Sequence, residues 1–409
     1  MHILFLTDNF PPEVNAPASR TYEHSREWVK SGEQVTIITC APNFPKGKVF
    51  SGYKNKLWQT EVIDGIKVIR VWTYITANEG FFKRTLDYVS FMISAVIASF
   101  FVKKVDIVIG TSPQFFTVCA AYLVGLFKRK PWVFELRDLW PEPFRVLGVI
   151  KNEFILKSLE RLEIYLYKKS SLIISVTNSF KADLIKRGVN PQKIKVIKNG
   201  VDTSFFKKSE RDLQLVKELN LEDKFVLGYI GTHGMAHALN VVLDAAKIIQ
   251  AKHKDRFIFI FLGDGAKKNS LKKYAQNIEL SNVIFVDTVA KNEVRKYWSI
   301  LDTLIVHLRK SIVYTKVIPS KLFESVSMGV PVLHGVEGES AEIVTSNNLG
   351  KLFEPENSKD LAEKILWISK HNNWLSETQE NLEKVAKQFD RKKLAKDILL
   401  EIHKLIKDK

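Results

Sequence analysis

The chain has 409 residues, of which 45% are hydrophobic and 26% charged, and a formal net charge of +17. These proportions exclude disordered and fibrous classes, and the length allows two domains with sizeable cores. Cys40 and Cys119 are the only cysteines, which excludes a disulfide scaffold and a cysteine-based zinc site and suits a reducing, cytosolic setting.

From the N-terminus, Ile3-Leu-Phe-Leu6 reads as a buried strand rather than an export signal, since no basic segment precedes it and Asp8 ends the apolar run. A Pro-rich loop, Phe10-Pro-Pro-Glu13, leads to a helix over Arg20–Lys30. Strands follow at Gln34–Thr39, Lys67–Trp72, Asp106–Gly110 and Trp132–Leu136, then a helix over Phe154–Lys169 and a strand at Leu172–Val176. Short β-branched or aromatic runs alternating with helical patterns imply a doubly wound parallel sheet.

Two uncharged stretches are too short or too broken to span a bilayer, which takes about 20 apolar residues. Tyr88–Val102 has fifteen residues, and Ile107–Phe127 is interrupted by Gly110-Thr-Ser-Pro-Gln114. Tyr88–Val102 is equally readable as a buried core helix or, with Phe81-Phe-Lys-Arg84 before it, as part of a surface that attaches to anionic lipid.

The pattern restarts after Asn199-Gly-Val-Asp202 and a charged connection, Lys207–Asp212. Strands are expected at Phe225–Ile230, Phe257–Leu262, Val283–Val286, Thr303–Val306 and Val330–Leu333, with a helix over Leu239–Ile249 and a basic amphipathic helix over Arg391–Lys409. Residues 1–200 hold 29 Lys and Arg against 17 Asp and Glu, whereas 201–409 hold 33 against 28. Such a basic balance suits polyphosphate substrates, anionic lipid or nucleic acid. Nucleic acid is the weakest of these, because the aromatics fall on core positions rather than interleaving with a basic groove.

Three segments carry candidate chemistry. Ile318-Pro-Ser-Lys-Leu-Phe-Glu324 opens a helix, with Ser320 expected at its cap and free N–H groups suited to a phosphate. There Lys321 adds a positive charge, and Glu324 can accept two hydrogen bonds from a diol. Gly231-Thr-His-Gly234 follows a strand and lets backbone approach an anion, with His233 between the glycines. Phe134-Glu-Leu-Arg-Asp138 puts Arg137 and Asp138 past a strand's C-terminal end, where open α/β sheets bind ligands, unless the two simply pair with each other.

The order and spacing of these segments resemble the family 4 glycosyltransferases over nearly the whole chain, from Phe10-Pro-Pro-Glu13 through Asn199-Gly-Val-Asp202 to Lys321–Pro331. The stretches Arg137-Asp-Leu-Trp-Pro-Glu142 and Pro319-Ser-Lys-Leu-Phe-Glu324 are most similar to bacterial N-acetyl-L-fucosamine transferases of O-antigen and capsule synthesis. The resemblance implies a GT-B architecture: an acceptor-side Rossmann-like domain over 1–203, a facing nucleotide-sugar-binding domain over 204–388, a cleft between them, and a helix over 389–409 packing on the first.

It further implies a retaining, metal-independent transfer from a nucleotide-sugar, a UDP-sugar for preference, to a lipid-linked (undecaprenyl diphosphate) acceptor, with no cofactor. The implied location is cytoplasmic, peripheral on the inner face of the cell membrane. Glu324 matches the second glutamate of the family's paired motif, which binds ribose hydroxyls. Arg137, Asp138 and Lys321 are then the catalytic candidates, and Gly231, His233, Gly234, Arg309, Ser320 and Glu324 the donor-binding ones. Lys316 stands where the first glutamate would be, Thr232 and His237 replace a usual basic pair, and Asn15-Ala-Pro-Ala18 replaces a Gly-Gly loop. The competing functions are a nucleotide-sugar epimerase of the same fold and a basic nucleic-acid-binding protein.

Overall fold

The computed structural model describes residues 1–44, 46–76, 81–142, 145, 150, 152–253 and 255–407. The chain forms two compact units, one of Met1–Lys198 with Arg391–Lys409 and one of Asn199–Asp390.

The first unit is built on an eight-stranded sheet of order β3-β4-β2-β1-β5-β6-β7-β8. Its strands are β1 (His2–Leu6), β2 (Gln34–Cys40), β3 (Trp58–Ile63), β4 (Ile66–Val71), β5 (Ile107–Thr111), β6 (Trp132–Leu136), β7 (Leu172–Ser175) and β8 (Ile194–Val196). All pairs are parallel except the β3–β4 hairpin. Strands β1, β5, β6 and β7 are buried along their length, which is why they read as continuous apolar runs.

Helix α1 (Ala16–Lys30) begins at Asn15, whose side chain accepts from Ala18 N. The later helices of this unit are α2 (Phe81–Ser99), α3 (Phe115–Lys128), α4 (Glu153–Lys169) and α5 (Asn178–Lys186). Helix α2 is apolar on two sides. Phe91, Ala95 and Ala98 enter the core, while Ile93 and Ile97 face solvent. The core-helix reading of this segment holds for its inner side.

The second unit has a six-stranded parallel sheet, β11-β10-β9-β12-β13-β14, the 3-2-1-4-5-6 order of dinucleotide-binding folds. Its strands are β9 (Phe225–Ile230), β10 (Phe257–Leu262), β11 (Val283–Val286), β12 (Thr303–His307), β13 (Val332–Gly335) and β14 (Gly350–Leu352). The helices are α6 (Leu213–Glu218), α7 (Asn240–Lys252), α8 (Lys268–Asn277), α9 (Lys291–Ser299), α10 (Ser320–Met328), α11 (Glu339–Ser346), α12 (Ser358–Ile368) and α13 (Asn372–Gln388).

After Asp390 the chain returns to the first unit as α14 (Arg391–Lys407). This helix packs on α1. Trp28 Nε1 donates to Ala395 O at 2.8 Å, and Arg391 Nη1 meets Glu23 Oε2 at 2.6 Å. Leu394, Ile398 and Ile402 complete the apolar layer over Phe5, Ile37 and Ile109.

Candidate functional site

In each sheet the strand order reverses beside the first strand of the unit, and the crevice at the strands' C-terminal ends there is where such sheets take ligands. In the second unit this point lies between β9 and β12. The loop after β9 is Gly231-Thr-His-Gly234, and the loop after β12 carries Arg309, whose N–H donates to Ala236 O at 2.9 Å. The Arg309 side chain is exposed.

Gly231 and Gly263 have φ of +139° and +138°, and a Cβ on Gly263 would lie 2.0 Å from Gly231 O. Only glycine permits these two loops to close on each other. Gly231 N donates to Leu262 O and His233 N to Asp264 O, both at 2.9 Å, which ties the loop after β9 to the loop after β10. Gly234 opens a short 3-10 turn over Met235–His237.

Lys321 sits on the first turn of α10 and reaches this glycine loop. Its Nζ lies 3.9 Å from the centre of the Tyr229 ring and 3.1 Å from where a Gly231 Cβ would be. The ammonium is shielded from solvent and has no hydrogen-bond partner. Burial pulls its pKa down to about 7, with Glu324 one turn along the helix opposing the fall. An uncompensated buried ammonium is costly and seeks an anion. The Tyr229 ring beneath it, a partial substitute for that anion, went unnoticed in the sequence.

The cap of α10 is Pro319, not Ser320, and no side chain bonds the first N–H groups. Proline fixes the entry dihedral and moves Ser320 onto the first helical position. Of the first N–H groups, that of Leu322 donates to Pro319 O at 3.1 Å, and the Pro319 cap offers no side-chain acceptor to those of Ser320 and Lys321. The far end of α10 closes at Gly329, with φ +72°, as its Gly-Val-Pro sequence suggested.

The histidines of the loop behave differently from a cationic pair. His233 is fully buried, packed beside Tyr229, Phe261 and Phe285, and both ring nitrogens lack partners. Burial, then Lys268 and Lys321, lowers its pKa to about 4; burial and then Lys321 lower His237 to about 3. Both are neutral at physiological pH, so the loop offers a ligand its backbone and Lys321 rather than imidazolium charge. His307, at the end of β12, fixes the same loop by a hydrogen bond from Nδ1 to His237 O at 2.9 Å, while Nε2 accepts from Glu356 N.

In the first unit the reversal lies between β1 and β5, where a small cavity is lined by Thr7, Asp8, Asn9, Ser112 and Gln114. Burial, then Asp87 and Glu13, holds Asp8 well above the usual carboxylate range. Arg137 and Asp138 follow β6, and their backbone N–H groups share Ser112 Oγ at 2.8 and 3.2 Å. They do not form the ion pair their adjacency suggested. The neighbouring Glu135 takes Arg20 of α1 instead, at 2.9 Å and fully buried. Nε and Nη1 of Arg137 are buried without partners. Burial lowers Arg137 to about 10 and raises Asp138 to about 6. Among the described residues no three His, Cys, Asp or Glu side chains cluster to hold a metal ion.

A probable glycosyltransferase of Pseudomonas aeruginosa, WbjE, is 24% identical over 272 residues, 64% of this chain and 66% of that protein. A Salmonella typhimurium protein provisionally named a colanic acid biosynthesis glycosyltransferase, WcaL, is 24% identical over 244 residues, 57% of this chain and 56% of that protein. The chain spans between about half and two thirds of the length of the curated relatives it matches. Among solved structures, Anabaena HepE in complex with UDP and glucose matches with a TM-score of 0.73 at 18% identity, over 98% of this chain and 99% of that one. A likeness at that identity shows the fold.

Residues 18–205 match the family model described as Glycosyltransferase Family 4, and residues 210–389 the one described as Glycosyl transferases group 1. The two cover nearly the whole length in succession, and the chain belongs to the family 4 glycosyltransferases of GT-B fold.

Proposed function

We propose that this protein transfers a sugar from a nucleoside diphosphate donor, with UDP the preferred nucleotide, to a lipid-linked acceptor in surface-polysaccharide synthesis. The observation that carries the reading is Lys321, a buried ammonium without a partner, held over a glycine loop and beside an uncapped helix N-terminus. Those three features together are what a diphosphate requires: charge, close backbone and free N–H donors.

In this reading the second unit binds the donor. The leaving diphosphate gains negative charge in the transition state, and fixed donors aimed at that charge lower the barrier. Lys321, Arg309 and the N–H groups at Ser320 supply them, while Glu324 accepts from the ribose diol. Gly231 and Gly234 let the backbone approach the phosphates. Arg137 and Asp138 of the first unit orient the acceptor.

The transfer retains anomeric configuration and uses no metal, in keeping with a sequence that lacks a D-x-D motif. The UDP in HepE and the polysaccharide setting in the name of WcaL support the donor and pathway class. N-acetyl-L-fucosamine is the sugar we propose, and an anionic membrane surface the place of reaction.

Thermal stabilisation by UDP-, GDP- and dTDP-sugars tests the donor, because a ligand that binds only the folded state raises its Tm. Product analysis with and without a lipid-linked acceptor then tests the reaction. Conversion of the sugar nucleotide without acceptor would indicate an epimerase and overturn the transferase reading.

A further inference from the structure

The outer side of α2 and α3 carries an apolar surface that the proposed chemistry leaves unused. Ile93 and Ile97 of α2, Phe100 and Phe101 just beyond it, and Leu126 and Phe127 of α3 are each between 53% and 69% exposed. They form one patch rather than scattered positions. The Phe100 and Phe127 rings lie 5.7 Å apart, Phe101 meets Trp58 of β3 at the same distance, and Lys128 Nζ binds Val102 O at 2.8 Å. Monomeric proteins seldom leave contiguous apolar surface of this kind without a use for it.

Its charge distinguishes the possible occupants. Lys103, Lys104, Arg129 and Lys130 are exposed around the aromatic residues. Between Tyr88 and Phe134 the only acid is Asp106, and its carboxylate is engaged by His2 N at 2.7 Å. A second copy of this surface would bring like charges together. An anionic bilayer meets both features at once, since aromatic side chains enter the headgroup boundary while lysines and arginines meet lipid phosphates. The inner side of α2 is occupied by core packing through Phe91, Ala95 and Ala98. No helix among the described residues is long and apolar enough to cross a membrane, so contact is along the surface.

We infer that this α2–α3 face docks the protein on anionic lipid, with Phe100, Phe101 and Phe127 entering the interface. The inference rests on the proposed function only for why a lipid surface is useful. This face takes in the Tyr88–Val102 part of the segment that the sequence offered together with Phe81-Phe-Lys-Arg84, and adds the end of α3; at the start of α2 Phe82 is exposed, and the Phe81 side chain lies outside the described residues.

The test is flotation of the full chain with vesicles of phosphatidylcholine alone or with phosphatidylglycerol, at low and high salt. Wild type should float with the anionic vesicles and less so at high salt. Phe100→Ser with Phe101→Ser should lower partitioning at least about tenfold, and Lys103→Glu with Lys104→Glu should remove the anionic preference. Circular dichroism and UDP titration of each variant show whether it remains folded and keeps its donor site. Unchanged flotation of folded Phe100→Ser, Phe101→Ser protein would overturn the inference. So would a wild-type dimer in sedimentation that this variant abolishes, since a second copy would then own the face. Flotation as expected with no UDP binding would instead refute the donor reading and leave the docking face standing.

Discussion

Replacing Lys321 by methionine should move stability and donor binding in opposite directions. Its Nζ is buried, unpartnered and held at a pKa of about 7, against 10.5 for an ordinary lysine. Between those values the unfolded chain carries the extra proton, so stability rises with pH across about 7 to 10.5 and the penalty is complete below 7. The gap corresponds to about 5 kcal/mol. Lys321→Met keeps the stem volume and removes the charge, so at pH 6 it should stabilise the second unit by about 2–4 kcal/mol, read as a higher Tm.

Donor binding should suffer. A charge-assisted hydrogen bond is worth about 1.5–3 kcal/mol, or roughly 10- to 150-fold in affinity. A bound diphosphate favours the ammonium, so wild-type affinity should be greatest below pH 7 and fall as pH rises above it. A sugar nucleotide has no proton to lose in this range. Its titration at pH 7 in buffers of different ionisation enthalpy should therefore show uptake of about half a proton, absent in Lys321→Met. Equal affinity of wild type and variant at pH 6, or a variant that melts below wild type there, would refute the assignment.

Glu324→Gln should weaken binding of both UDP and the UDP-sugar by about 1.5–3 kcal/mol, and calorimetric titration checks it. His237→Ala should leave the pH dependence of donor affinity unchanged above about pH 5, because the wild-type imidazole titrates near 3; a flattened profile in fluorimetric titrations would show otherwise. Arg20→Met removes the buried ion-pair partner of Glu135 and leaves it Thr111 and the nearby Arg137, and should cost about 1.5–3 kcal/mol in urea unfolding. Converting both partners, Arg20→Met with Glu135→Leu, should recover much of that loss.

The strands at 225–230, 257–262 and 132–136 stand where the sequence puts them, because strands buried on both faces leave unbroken apolar runs. Strand β3 left no such trace. Trp58-Gln-Thr-Glu-Val-Ile63 is a half-exposed edge strand paired on one side only, so its pattern resembles surface loop. The glycine loop, α10 and its Gly329 end were legible because turn and cap chemistry is local. The partner choice of Glu135 was not, since Arg20 is 115 residues away and only the fold selects it over Arg137. The neutrality of His233 and His237 also depends on neighbours from other elements, which no local spacing encodes.

The return of α14 to the first unit sets an order of events at the ribosome. The second unit, 199–390, is continuous in sequence and has all its parts once Asp390 has emerged. The first unit begins earlier yet lacks a layer until residues 391–407 follow: until then Trp28 has no Ala395 carbonyl, Glu23 no Arg391, and Phe5, Ile37 and Ile109 no cover on that side. The part of the protein made first is thus the last to close, and its unfinished apolar face is what a nascent-chain chaperone would meet throughout synthesis of the other half.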